Sequence, residues 1–194
     1  MSAPALVLAS TSRCRAQLLQ RLRVPFTQCA PHVDEAERTG EAGVDRALRL
    51  AMAKAQAAAN ERGEALLIGS DQVATLDGAV LHKPGSAENA QAQLRASSKR
   101  AVVFHTAVSV LDTRDLSQHT CVDTTTAHFR ALDEAAIRRY VEQELPLDCA
   151  GSFKCEGSGI ALFEQIDTRD PTALIGLPLI ALARLLRECG VELP

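Results

Sequence analysis

Aromatic side chains are scarce in this chain: 194 residues include no tryptophan, one tyrosine and five phenylalanines. Hydrophobic residues nevertheless make up 46% of it. The core must therefore be aliphatic, chiefly Ala and Leu, a composition that favours helices packed on a sheet over an all-β sandwich. An excess of positive charge is also missing. The 21 Lys and Arg against 24 Asp and Glu leave a formal net charge of −3, which points away from nucleic acid as a partner. No apolar run approaches the ~20 residues that span a bilayer. The run Ala5-Leu6-Val7-Leu8-Ala9 is too short for a signal-peptide core and follows no basic segment. A soluble, cytoplasmic protein without a membrane partner is expected. The six cysteines, at 14, 29, 121, 149, 155 and 189, form no C-x-x-C pair and have no Cys/His neighbour at zinc spacing. They read as reduced, structural thiols. Neither G-x-x-x-x-G-K-[ST] nor G-x-G-x-x-G occurs, so an ATPase P-loop and a dinucleotide turn are both unsupported.

What is present is a succession of short strands and amphipathic helices. Residues 5–9 read as a buried strand, and Ser10-Thr11-Ser12 supplies hydroxyls at the start of a helix carrying Leu18, Leu19 and Leu22, with Pro25 ending it. A second strand is expected near 26–30 and a helix over 44–60. The apolar run Ala65-Leu66-Leu67-Ile68-Gly69-Ser70 predicts a buried strand ending at Asp71. Asp77-Gly78 marks a turn into Ala79-Val80-Leu81. Helices are expected over 86–97, 133–143 and 177–189. The Val- and Thr-rich stretches 101–112 and 119–130 read as an antiparallel pair, and 160–163 as a last strand. The mixture of βα units and hairpins predicts an α/β fold with a mixed sheet and helices on its faces. The length suits one domain or two small lobes.

Four features carry chemistry. The strand–turn–helix at 5–20 offers unpaired backbone N–H groups and a positive dipole end, with Arg13 and Arg15 in the first turn, where a guanidinium can clamp a phosphate. Glu35 follows Asp34 in a polar segment, and Lys54 lies on the 44–60 helix. Asp71 stands at the expected strand end, where α/β sheets place their ligands, and Lys83-Pro84 follows it. Carboxylates that hold a hard divalent ion, cations that neutralise phosphate oxygens, and one carboxylate to activate water are what hydrolysis of a nucleotide phosphoanhydride needs. Each feature also has a plain structural reading. Asp71 can cap a turn, and Arg13, Arg15, Arg21 and Arg23 can be a solvated helix face.

Taken in order, Leu8-Ala9-Ser10-Thr11-Ser12-x-x-Arg15, Val33-Asp34-Glu35, Lys54-Ala55, Ser70-Asp71-Gln72-Val73, Lys83-Pro84, Cys149-Ala150-Gly151-Ser152-Phe153-Lys154-x-Glu156-Gly157 and Gly176-Leu177-Pro178-Leu179 resemble the Maf family of nucleotide pyrophosphatases. The resemblance runs over nearly the whole chain and implies a single Maf-like domain over residues 1–194. It implies an elongated mixed sheet flanked by helices, of the Maf/ITPase-like kind, with two lobes around a central cleft that holds the active site. The implied reaction is hydrolysis of a nucleoside triphosphate between its α- and β-phosphates, giving monophosphate and pyrophosphate. Divalent Mg or Mn is the implied cofactor and a homodimer the implied assembly.

Carried over, Asp71 is the expected proton acceptor, and Glu35 with Asp71 the metal ligands. Ser10, Arg13, Arg15, Lys54 and Lys83 are expected at the phosphates, and Cys14, Gln72 and Glu156 at the base. Gln72 after the Asp, with Ser152-Phe153-Lys154-x-Glu156, is similar to the branch acting on 7-methyl-GTP. The branch acting on UTP and dTTP has Thr and Gln at the Gln72 and Glu156 positions. Hydrogen bonding favours the same choice: guanine's N1–H and N2 amine are adjacent donors to a carboxylate, whereas uracil's acceptor–donor–acceptor edge suits an amide. Glu156 also has a plain reading as a solvent-exposed loop acid. The implied role is removal of modified nucleotides. UTP/dTTP hydrolysis and a non-catalytic nucleotide-binding regulator of cell division remain as alternatives. The chain departs from the family in three places: Ala16 replaces a second arginine, Cys14 stands where an aromatic can stack on a methylated base, and His82 replaces a Gly before Lys83.

Overall fold

The computed structural model describes residues 4–59 and 63–194. The chain forms two compact units: Met1–Asp71, Thr106–Asp123 and Asp170–Pro194 in the first, and Gln72–His105 with Thr124–Arg169 in the second. Seven strands make one sheet in the order β2-β1-β3-β5-β6-β7, with β4 paired to β3.

In the first unit, β1 (Ala5–Ala9) lies parallel to both β2 (Phe26–Cys29) and β3 (Ala65–Leu76). Both faces of β1 and β3 are covered, which is why their sequences read as continuous apolar runs rather than alternating ones. Leu6, Leu8, Leu66 and Ile68 pack against Leu18 and Leu19 of α1 (Arg13–Gln20) and Leu182, Leu185 and Leu186 of α5 (Leu179–Glu188). Val7, Ala9 and Leu67 pack against Ala55 and Ala58, at the end of α2 (Gly43–Ala57). The expected N-cap holds: Ser12 Oγ accepts the Arg15 N–H at 3.3 Å. Helix α1 stops well before Pro25, and Arg23 takes a left-handed φ of 55°. The helix expected over 44–60 corresponds to α2, and its last expected residue lies outside the described ones.

Two strand boundaries differ from expectation. Strand β3 does not end at Asp71 but runs through it to Leu76, with Val73, Ala74 and Leu76 buried. The hairpin explains why. Asp77 and Gly78 adopt positive φ angles of 50° and 82°, a two-residue turn of the I′ kind, and such a turn needs paired strand on both sides. Ala74, Thr75 and Leu76 accordingly pair with Leu81, Val80 and Ala79 of β4 (Ala79–Leu81). The last strand is also displaced. Ser158–Leu162 forms a 3-10 helix that buries Leu162 and leaves Ile160 exposed, and β7 runs from Phe163 to Asp167 against β6.

In the second unit, α3 (Ala87–Ser97) and α4 (Glu134–Glu144) begin at Ser86 and Asp133, whose side chains accept from the N–H groups of Asn89 and Ala136. Strands β5 (Ala101–Asp112) and β6 (Gln118–Phe129), each with residues in both units, are antiparallel, shown by bonds from Asp112 N–H to Ser117 and from Phe129 N–H to Arg100, both 2.9 Å. Four of the five phenylalanines, Phe104, Phe129, Phe153 and Phe163, meet edge to face with centroids 4.6–6.5 Å apart. The aliphatic expectation therefore describes the first unit better than the second.

Candidate active site

Helix α2 crosses β3 at very short range. A Cβ on Gly69 would lie 2.1 Å from the Ala51 carbonyl oxygen and 2.5 Å from the Ala55 nitrogen. Only a residue without a side chain lets the two backbones approach so closely. The result brings the last turn of α2 over Asp71, and Lys54 Nζ lies 2.6 Å from Asp71 Oδ1. Both residues are buried, at 7% and 8% exposure. The same ammonium lies 2.7 Å from Glu35 Oε1, whose side chain is half exposed. One buried lysine thus gathers two carboxylates from segments far apart in sequence.

Helix α2 also fixes the loop that carries Glu35. Arg46 donates to the Glu35 carbonyl at 3.0 Å and pairs with Glu37. Arg49 donates to the Ala36 carbonyl at 3.2 Å and holds Glu41 through two bonds of 2.5 and 2.7 Å. That pairing holds the Glu41 carboxyl below its usual pKa.

At the end of β1, Ser10 is buried and its Oγ accepts the Ser12 N–H at 3.1 Å, while the Gln28 amide donates to the Ser10 carbonyl at 2.6 Å. Arg15 Nε donates to the Gly176 carbonyl at 2.8 Å. The Ser70 hydroxyl lies 2.8 Å from the Ala107 carbonyl and 3.0 Å from that same Gly176 oxygen. Neither Nη group of Arg15 has a partner among the described residues. Burial lowers the Arg15 pKa from its ordinary value, while the charges of Asp71 and Glu35 act in the opposite direction. Even so lowered, a guanidinium remains a cation. The Gly176 loop is held from below by Asp170, which is buried and accepts from Thr172 and from the Ile180 N–H at the start of α5.

Of the residues singled out in the sequence, the structure brings Asp71, Glu35 and Lys54 into one cluster, with Arg15 within electrostatic reach. Arg13 opens α1 and is exposed, Cys14 is partly buried, and Ala16 packs against the leucine cluster. Gln72, Lys83 and Glu156 belong to the second unit: Gln72 on β3 is partly buried, Lys83 is exposed, and Glu156 is exposed on a turn at 155–157. All six cysteines are free thiols. Burial pushes the Cys149 thiol up to about 12, with the neighbouring Asp148 adding to the effect. Among the described residues no three His, Cys, Asp or Glu side chains gather as a metal cage, and no helix is long and apolar enough to cross a membrane. Sequence reasoning missed Ser70, Gly176, Asp170, Arg46 and Arg49. Ser70 and Gly176 lay within motifs already noted, but the chain gave no sign that they share a partner.

A solved structure shares the fold: a HAM1 protein from Coxiella burnetii matches with a TM-score of 0.51 at 20% identity, over 96% of this chain and 100% of that one. It supports an α/β fold in which a mixed sheet is flanked by helices. The sequence places the chain more narrowly. Residues 5–189 match the model of the Maf-like proteins, and the chain belongs to that family. Among curated relatives, a 7-methyl-GTP pyrophosphatase of Xanthomonas oryzae is 56% identical over 98% of this chain and 100% of its own length. Proteins of the same name are 49% identical in Pseudomonas aeruginosa, covering 98% and 100%, and 52% identical in Thiobacillus denitrificans, covering 98% and 95%.

Proposed function

We propose that this protein is a nucleoside triphosphate pyrophosphatase that hydrolyses 7-methyl-GTP to 7-methyl-GMP and pyrophosphate, removing a modified nucleotide from the pool. Supporting the reading is one geometric observation: a buried ammonium holds the Asp71 and Glu35 carboxylates at 2.6 and 2.7 Å. A chain that buries Lys54 and Asp71 carries the desolvation cost of two charges, which a purely structural site replaces readily with apolar side chains. The names of the full-length relatives support the substrate.

In this reading Asp71 is the general base. Lys54 engages Oδ1, so Oδ2 is the oxygen that takes a proton from the attacking water. Lys54 keeps the carboxylate oriented. The Arg15 Nη groups and the N-terminus of α1 meet phosphate oxygens, aided by Arg13, Ser10 and Lys83. Glu35 and Asp71 fit a hard divalent ion such as Mg or Mn, because both offer carboxylate oxygens and the ion takes its remaining ligands from phosphate and water. Such an ion, when bound, supplies charge neutralisation at the phosphates. Glu156 is the base reader, accepting from guanine N1–H and N2, and Gln72 and Cys14 line the base. The loss of a family arginine at Ala16 leaves the charged set intact, since that position packs against apolar side chains.

The test is a product analysis with Mg or Mn over 7-methyl-GTP, GTP, UTP and dTTP. Monophosphate and pyrophosphate, formed fastest from 7-methyl-GTP, are expected. Diphosphate and orthophosphate as products, or no turnover of any triphosphate by folded protein, overturns the proposal.

A further inference from the structure

The turn that presents Glu156 is fastened to α4 by more bonds than a surface loop needs. The chain's only tyrosine, Tyr140, is buried in α4 and its hydroxyl accepts the Lys154 N–H at 2.8 Å. Lys154 Nζ then donates to the Glu144 carbonyl at 2.6 Å, capping the end of the same helix. From the other side, Glu144 Oε1 accepts both the Ser158 N–H at 2.8 Å and the Ser158 hydroxyl at 2.6 Å. These bonds hold the Glu144 carboxyl below its usual pKa. Gly157 sits so close that a Cβ there would lie 2.7 Å from the Glu144 carboxylate. Upstream, Ser152 Oγ donates to Gln93 of α3 at 2.5 Å, and Phe153 is locked among three other rings. Residues 152–158 are thus pinned on either side of an exposed glutamate.

A carboxylate that distinguishes two adjacent donors from an acceptor–donor–acceptor edge must be held to within about 0.5 Å. An exposed Glu on a free loop loses that accuracy to rotamer entropy. We propose that Tyr140 and Glu144 are positioning residues for base selection: they set the 154–158 turn so that Glu156 meets the guanine edge with its backbone already ordered. This rests on the reading of Glu156 given above. Neither residue touches substrate in this account, so both act on affinity and preference rather than on the chemical step.

The experiment measures KM and kcat for 7-methyl-GTP and dTTP with the full-length Tyr140→Phe, Glu144→Ala, Glu144→Gln and Glu156→Gln variants, and with Tyr140→Phe/Glu156→Gln. Tyr140→Phe and Glu144→Ala each raise KM for 7-methyl-GTP roughly tenfold, the scale of one lost well-placed hydrogen bond, with kcat changed less than about twofold and KM for dTTP unmoved. Glu144→Gln, which keeps an accepting oxygen, restores the wild-type value. In the Glu156→Gln background Tyr140→Phe adds nothing, because the group it positions has been changed. Equal losses for both nucleotides, or a Tyr140→Phe effect that persists in the Glu156→Gln background, overturn the proposal as generic destabilisation. If Glu156→Gln shifts preference while Tyr140→Phe and Glu144→Ala do not, the brace alone is overturned. If Glu156→Gln itself leaves preference unchanged, the Glu156 reading fails.

Discussion

Replacing Lys54 with methionine tests the cluster through stability, independently of any substrate. Methionine matches the length of the lysine stem and removes its charge, leaving Asp71 at 8% exposure without the ammonium now 2.6 Å away. Breaking a buried pair in this way costs about 3–5 kcal/mol. Glu35 adds about 0–1 kcal/mol, because its side chain is half exposed and can turn to water. Arg15 lies close enough for its charge to be felt by Asp71, so the lower end of the range is expected. With a urea m-value of about 2 kcal/mol/M, 3 kcal/mol lowers the unfolding midpoint by roughly 1.5 M. The companion variant Lys54→Met/Asp71→Asn removes the stranded charge and recovers most of the loss. Urea unfolding followed by far-UV circular dichroism measures both. A single variant within about 1 kcal/mol of wild type, or a double variant no more stable than the single, refutes the view that Lys54 and Asp71 form a buried, mutually dependent pair.

Other expectations concern chemistry and packing. Asp71→Asn keeps the fold and lowers pyrophosphate release by about 10²–10⁴, the usual contribution of a general base; retained activity in a steady-state assay removes Asp71 from that role. Gly69→Ala forces a Cβ into the Ala51 carbonyl, so overpacking of about 1–3 kcal/mol is expected. Its denaturation midpoint should fall together with turnover, and an unchanged midpoint contradicts the close crossing. Arg15→Lys loses the fork that serves Gly176 and phosphate together, raising KM more than it lowers kcat in initial-rate measurements. Cys149, with its pKa pushed up to about 12, alkylates slowly with iodoacetamide at pH 8, and the rate rises about tenfold per pH unit toward that value. A plateau near pH 9 in a mass-spectrometric time course rules this out.

Much of the architecture was legible because local chemistry and tertiary packing agree. Ser12, Ser86 and Asp133 announce their helices by side chains that do cap them. Asp71 misled because a charge inside a run of aliphatics looks like a strand end. The partner that makes it tolerable, Lys54, stands 17 positions earlier on another element. The Asp77-Gly78 turn already carried the correction, since an I′ hairpin requires strand up to the turn. At 160–163 the apolar letters suggested extended chain, but Ile160 and Ala161 face outward while Leu162 and Phe163 pack inward, and the 3-10 turn begins at Ser158, which is tied to Glu144. Of the candidate site, Asp71, Glu35, Lys54 and Arg15 stood out in the sequence as charged residues in short motifs, and the structure places them near one another. The shared Gly176 oxygen and the arginine pair behind Glu35 could not, because each depends on which carbonyls the folded loops offer.

The uneven placement of the rings has a practical side. Phe104, Phe129, Phe153, Phe163 and Tyr140 all belong to the second unit, and Phe26 is the one aromatic residue of the first. With no indole in the chain, the near-ultraviolet spectrum is almost a private signal of that second unit, whereas the peptide-region signal sums both. Melting curves recorded at the two wavelengths therefore resolve, without any label, whether the protein loses its structure in one cooperative event or in two.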